Sequence, residues 1–134
     1  SIISLSTLLA EQMEKQRAGT IAIISSVAGD RGRQSNYIYG SAKAAISCFA
    51  DGLRSRLSKV GAQVITIKPG FVDTAMTNGL ELPKLLVASP AKVAKQICTA
   101  ITKGKNTIYT PKFWWAIMLI IKSIPEVIFK KLKL

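Results

Sequence analysis

The chain has 134 residues, enough for one compact domain or part of one, and short for a fold that must hold both a dinucleotide and a substrate. Lysine and arginine number 19 against 7 acidic residues, a formal charge of +12, but the basic residues are scattered without a nucleic-acid-binding motif, so no nucleic-acid partner is expected. There is no histidine, and the two cysteines, Cys48 and Cys98, lie far apart inside apolar helical patterns. This argues against a histidine-based triad, a disulfide framework and a metal site, and both cysteines are expected to be buried small hydrophobes in a reducing, cytoplasmic compartment.

Ile2, Leu5, Leu9 and Met13 recur at helical spacing from the start, which predicts an amphipathic helix over residues 1–17, already under way at Ser1, with Gly19 at its left-handed cap. The chain is therefore expected to be cut from a longer one. Thr20 to Ile24 (TIAII) is an unbroken apolar and β-branched run, the pattern of a parallel strand covered on both faces. Residues 27–37 are polar and glycine-containing, hence loop. Ala42, Ile46, Phe49, Leu53 and Leu57 then define one buried helical stripe, closed by Gly61. Val64 to Ile67 forms a second short strand ending at Lys68-Pro69-Gly70, so a βαβ unit is expected.

Residues 71–88 read as a long loop with a short helix near Leu80 to Leu86. Ser89-Pro90 is an N-cap followed by a first-turn proline, Val93, Ile97 and Ile101 mark a helix ending near Gly104, and Thr107 to Thr110 is a third strand candidate. The order helix, strand, helix, strand, helix, strand predicts an α/β fold, part of a Rossmann-like doubly wound parallel sheet. Three strands leave sheet edges and helix faces to be covered by further chain or a partner.

In such sheets ligands gather at the carboxyl ends of the strands, where Ser26 and Pro69-Gly70 fall. Tyr39 and Lys43 are four apart on one helix face, so a phenol and an ammonium can address one ligand. Hydride addition to a carbonyl leaves an oxyanion that needs a proton. An unperturbed phenol titrates near pH 10, and an ammonium one helical turn away eases placing negative charge on its oxygen. Ser26 is suited to hydrogen-bond the carbonyl oxygen.

Ile24-Ser25-Ser26, Tyr39-Gly40-Ser41-Ala42-Lys43 and Lys68-Pro69-Gly70-Phe71-Val72-Asp73-Thr74 resemble, in order and spacing, the active-site half of short-chain dehydrogenases/reductases. The resemblance implies NAD or NADP as cofactor, with Ser26, Tyr39 and Lys43 catalytic. Tyr39, Lys43, Pro69, Gly70, Val72 and Thr74 would border the nicotinamide and its ribose. The family's glycine-rich turn, its adenosine-selecting position, its NNAG-type strand and its catalytic asparagine have no counterpart in this sequence. Helices 1–17 and 40–59 resemble the pair that builds the family's dimer bundle, which implies a homodimer or homotetramer. Tyr37 is the expected packing tyrosine, and Arg31 and Arg33 read as solvated loop charges or as contacts for a substrate phosphate.

Residues 1–111 are thus expected to be the C-terminal part of the dehydrogenase domain and 112–134 a hydrophobic, basic tail. Phe113 to Ile121 is nine apolar residues, far short of the roughly 20 of a membrane-spanning helix. Five lysines against one glutamate in the tail suggest an interfacial segment on anionic lipid; a hydrophobic arm over the substrate pocket or an oligomer interface is the alternative. GDRGRQSNYIYGSAK, KPGFVDTAMT and the YTPKFWW tail together resemble the bacterial decaprenylphosphoryl keto-pentose (2-keto-erythro-pentofuranose) reductase branch, implying a lipid-linked carbonyl substrate and a position at the inner face of the membrane. Reductases of lipid, sterol or other hydrophobic carbonyls remain open, as does a non-catalytic segment that binds membrane or a partner subunit. Residues 1–134 by themselves are expected to give negligible NAD(P)H oxidation with any carbonyl; robust turnover by that purified segment overturns the expectation.

Overall fold

The computed structural model describes residues 2–75, 77, 79 and 83–132. Helix α1 (Ile2–Gln16) leads into strand β1 (Thr20–Ile24), a 3-10 turn at Val27–Gly29, the long helix α2 (Tyr37–Ser58) and strand β2 (Gln63–Pro69). Short strands β3 (Phe71–Val72) and β4 (Val87–Ala88) follow, then helix α3 (Pro90–Thr102), strand β5 (Thr107–Thr110) and two helices, α4 (Phe113–Ser123) and α5 (Glu126–Phe129). The main sheet is parallel, in the order β1-β2-β5, with Ile21 opposite Val64 and Ile67 opposite Ile108. Parallel β3 and β4 form a separate two-stranded ribbon.

Period-two alternation on the strands divides the core. On one face Ile21, Ile23 and Val64 pack against Ala10 of α1 and Ala50, Leu53 and Leu57 of α2. On the other, Ile65 and Ile67 meet Ala100 of α3. Central β2 is buried on both sides, and the polar Thr66 within it is satisfied by the Arg54 guanidinium at 2.6 Å. Removing water from this much branched aliphatic surface is the main force holding the layers together.

Several expectations need correction. Within this chain the TIAII strand is covered on one face: β1 lies at the edge of the described sheet, and Thr20, Ala22 and Ile24 are exposed since α3 lies over β2 and β5, an uncovered edge of the kind a three-stranded sheet is expected to leave. In α1 the buried residues are Ser6 and Ala10, while Ile2, Leu5 and Leu9 face outward. The α1 reversal is made by Arg17 at φ +53°, with Gly19 further on at φ +126°, where a Cβ would press on Met13. Helix α2 begins at Tyr37, and its buried side runs through Ser47, Ala50, Leu53 and Leu57, leaving Ala42 exposed and Ile46 and Phe49 half-buried. Cys48 and Cys98 are both exposed, each next to the buried stripe of its helix and not on it. Tyr37 is exposed as well, because the inward contact of the first turn of α2 is made by Gly40 against Ala28. Lys84–Leu86 form a 3-10 turn; Leu80 to Leu82 of the expected short helix lie outside the described residues. The Ser89 cap is present, its hydroxyl accepting from the Lys92 N–H at 3.4 Å.

Two glycines set how closely the first crossover packs. A Cβ on Gly29 would come within 2.7 Å of the Lys43 carbonyl carbon, and one on Gly40 within 2.9 Å of the Ala28 carbonyl oxygen. Both obstacles are backbone, so neither can rotate away. Gly29→Ala is expected to lower stability by about 1–3 kcal/mol, and Gly40→Ala to be destabilising although alanine gains about 1 kcal/mol of helix propensity. Gly32→Ala, with nothing within 4 Å, should be near neutral. Urea denaturation midpoints of the three variants check this.

Candidate active site

The chain leaves β1 and β2 at adjacent carboxyl ends, and the seam between them and α2 gathers the residues singled out above. Ser25 fastens it. Its N–H donates to the Ile67 carbonyl at 2.8 Å, and its hydroxyl lies 2.9 Å from the Lys43 carbonyl and 2.7 Å from the Ser47 hydroxyl. Ser47 also donates to the Lys43 carbonyl, at 3.0 Å. This buried polar knot joins the end of β1 to the turn of α2 that carries Lys43.

Ser26 caps the 3-10 turn, its hydroxyl accepting from the Ala28 N–H at 3.1 Å and reaching toward the Pro69 carbonyl at 3.5 Å. Lys43 is half-buried; its ammonium donates to the Ile24 carbonyl at 3.1 Å and lies 5.6 Å from the centre of the Tyr39 ring. Burial holds that ammonium below the ordinary lysine range. Tyr39 itself is 37% exposed. Thus Lys43 links Tyr39 to the last residue of β1, and Ser26 links the β1 end to Pro69. The Ser26 hydroxyl and the Lys43 ammonium both stand at the β1 terminus, with the Tyr39 ring on the far side of the ammonium's reach along α2.

The remaining candidates line the next turn. The Gly70 N–H donates to the Thr110 carbonyl at 3.1 Å, tying the end of β2 to the end of β5. Val72 is half-buried in β3, and its carbonyl accepts from the Thr77 hydroxyl at 2.6 Å. Thr74 sits in that turn and is exposed, its N–H donating to the Thr77 hydroxyl at 3.1 Å.

The tail closes over this region. Trp114 and Met118 of α4 are buried against Val27, Phe71, Leu86 and Tyr109. The Phe71 ring meets Trp114 edge-on at 5.2 Å. A Cβ on Gly70 would lie 1.9 Å from the Trp114 indole nitrogen, so the glycine of the Pro-Gly turn is what lets the tail seat. That indole N–H is buried without a hydrogen-bond partner among the described residues.

Two polar devices hold the loop after Ser26 against this closure, and neither was visible in the sequence. Asp30, its side chain 2% exposed, accepts from Lys68 at 2.5 Å and from the Tyr109 hydroxyl at 2.7 Å. Burial, with the bond to Asp30, pushes the Tyr109 phenol well up. Arg31 is neither solvated nor open to a substrate phosphate. Its guanidinium donates to the Ile121 and Ile124 carbonyls at 2.6 Å each and to Glu126 at 3.1 Å, and stacks on the Phe129 ring at 3.6 Å. It caps the unsatisfied carbonyls at the end of α4, where a cation also meets the negative end of the helix dipole. In the sequence Arg31 is only a basic residue inside a glycine-containing loop, which carries no information about a partner 90 residues away. Half-buried Arg33 faces a small cavity of about 230 Å³ that Phe129 and Lys130 also line.

Residues 1–84 match the family model described as short chain dehydrogenase. The chain belongs to that family. It is 35% identical over 130 residues to an uncharacterized oxidoreductase of Mycobacterium tuberculosis, covering 97% of this chain and 52% of the relative. A second uncharacterized oxidoreductase, from the mprA 5′ region of Streptomyces coelicolor, is 32% identical over 121 residues, covering 90% and 47%. The chain spans about half the length of these relatives. Among solved structures, a short chain dehydrogenase from Burkholderia cenocepacia in complex with NADP superposes with a TM-score of 0.78 at 18% identity, covering 97% of this chain and 55% of that one. One from Sphingobium yanoikuyae in complex with NADPH gives 0.72 at 20% identity, covering 91% and 52%. Both establish the fold: part of a Rossmann-like α/β sheet.

Replacing Arg31 by alanine leaves carbonyls at the end of α4 without their donor and is expected to cost about 2–4 kcal/mol. Glu126→Gln removes only a carboxylate that is largely exposed and should cost under about 1 kcal/mol. Thermal melts of the two variants test the difference.

Proposed function

We propose that Ser26, Tyr39 and Lys43 are the catalytic group of an NAD(P)-dependent oxidoreductase that reduces a carbonyl or oxidises the corresponding alcohol. The observation that carries this reading is the placement of the Lys43 ammonium between the Tyr39 ring and the end of the strand that delivers Ser26. The residues present fit the nicotinamide-ribose end of the cofactor: a half-buried cation with donors to spare beyond the Ile24 carbonyl, a phenol beside it, and the Pro69-Gly70 turn at the same edge of the sheet. Lys43 and Tyr39 would hold the ribose, and Pro69, Gly70, Val72 and Thr74 would border the nicotinamide. When bound, the cofactor supplies a hydride to the carbonyl carbon.

Everything else falls to the chain. The Ser26 hydroxyl hydrogen-bonds the carbonyl oxygen and fixes its direction. Tyr39 gives its phenolic proton to that oxygen as negative charge develops there, and takes it back in the oxidative direction. The Lys43 cation stabilises the charge left on the phenol oxygen. Trp114 and Met118, over the Pro69-Gly70 turn, keep water from that side of the cleft.

For the substrate, the reading that fits the tail is a carbonyl carried on lipid, as in reduction of a polyprenylphosphoryl keto-sugar; a sterol or other hydrophobic ketone is the second reading. Residues 1–111 serve as the C-terminal part of the dehydrogenase domain and 112–134 as its membrane-facing tail, in a cytoplasmic protein working at the inner face of the membrane. The exposed Ile2, Leu5 and Leu9 on α1 support a homodimer, or a homotetramer built from it, with α1 and α2 at the interface. Tyr39→Phe in the full-length protein is expected to lower kcat by about 10²–10⁴-fold while weakening NAD(P)H binding by no more than about tenfold, since Lys43 still holds the ribose. NADPH oxidation with polyprenylphosphoryl keto-sugars and with lipid ketones reads both points. Wild-type rates in the variant would remove Tyr39 from the chemistry, and turnover of lipid ketones alone would end the sugar reading.

A further inference from the structure

The helices that close the site are apolar on two sides. The inner side of α4, with Trp114 and Met118, is packed on the body. Its outer side carries Phe113, Trp115, Leu119 and Ile120, and α5 adds Val127 and Ile128. Trp115 is 58% exposed and Ile120 67%, so this is a broad greasy surface presented to solvent, not the rim of a packed core.

Charge surrounds it with a single sign. Lys112 and Lys122 flank the outer side of α4, and Lys130 and Lys131 follow α5; all four are exposed. The one acidic residue of the segment, Glu126, is paired with Arg31. Beside Trp115 opens a groove of about 830 Å³ along β5 and α3, whose lining includes Lys95, Lys103, Lys105 and Lys112. An apolar ridge with aromatic residues, bordered by a lysine-lined trough, is complementary to an anionic bilayer: acyl chains below, phosphates at the edge. None of the described helices is long and apolar enough to cross a membrane, so the contact is with one leaflet.

We infer that the outer face of α4 and α5, with the adjoining lysine groove, docks on an anionic lipid surface. This deepens the reading of residues 112–134 as membrane-facing, and rests on that part of it alone. Trp115, Leu119, Ile120, Val127 and Ile128 enter the leaflet, while Lys112, Lys122, Lys130 and Lys131 meet the headgroups. A second copy is a poor occupant, since face-to-face pairing would bring these lysines together. The bare row of the sheet, Ala22 and Ile24, belongs to β1, the edge opposite the β5 strand that leads into α4, and is a separate surface. Docking here brings the bilayer to the back of the helix that roofs Pro69-Gly70, so a lipid-borne group reaches the cleft without leaving the leaflet.

Co-sedimentation of the purified protein tests this with vesicles of phosphatidylcholine alone and with about 30% phosphatidylglycerol added. Pelleting is expected with the anionic vesicles at about 0.1 M salt and release at about 1 M. Leu119→Ser with Ile120→Ser should weaken partitioning at least about tenfold, and Lys122→Glu with Lys130→Glu by a similar factor. Both double variants should keep the wild-type melting temperature and any reduction of a water-soluble ketone. No pelleting with anionic vesicles, or variants that pellet like wild type, overturns the proposal. So does a serine variant whose mass by light scattering falls from that of an oligomer to a monomer, which would make the face a self-association surface. Lipid binding that responds to both variants, in a protein without ketone reduction, would sink the catalytic reading and leave this one standing.

Discussion

The contact between the turn after β1 and the first turns of α2 is the constraint on which the rest depends. Two missing side chains, at Gly29 and Gly40, let backbone lie on backbone, and the Ser25-Ser47 pair bonds across the seam to the Lys43 carbonyl. The consequence is registry. With the strand end held to that helical turn, the Lys43 side chain reaches back to the Ile24 carbonyl and passes the Tyr39 ring. Ordinary core burial supplies most of the folding free energy, but it tolerates slippage of a few tenths of an ångström. A buried polar knot with every partner satisfied tolerates much less.

Much of this architecture was legible because it is encoded locally. The runs at Thr20 to Ile24 and Val64 to Ile67, the stripe through Leu53 and Leu57, and the Ser89-Pro90 start are patterns within one element, and the elements formed there. Ser26, Tyr39 and Lys43 stood out because strand ends and helix faces place them by short-range geometry. What could not be read depends on what each element packs against. Cys48 and Cys98 are apolar neighbours in sequence to buried residues, but a rotation of about 100° per residue carries them past the covered face. The β1 run has the composition of a doubly covered strand, yet the chain places α3 over β2 and β5 and leaves one row of β1 open.

The polar clamps escaped notice for the same reason. Arg31 read as a loop charge and Asp30 carried no signal at all, because their meaning lies with the end of α4 and with Lys68 and Tyr109, distant in the chain. Gly70 stands in the motif as a residue expected to border the nicotinamide, and the space its hydrogen leaves also seats the Trp114 indole. A motif residue can therefore be fixed by a neighbour that no motif mentions.

The Arg31 clamp also makes two distant stretches mechanically one. The segment between Ser26 and Tyr39 grips the junction of α4 and α5 through its guanidinium, and Asp30 bolts the same segment to β2 and β5. A push on the last helices travels along a rigid lever into the loop that spaces the serine from the tyrosine. Trimming the C-terminus would accordingly slacken that loop as well as uncover the Pro69-Gly70 turn beneath Trp114.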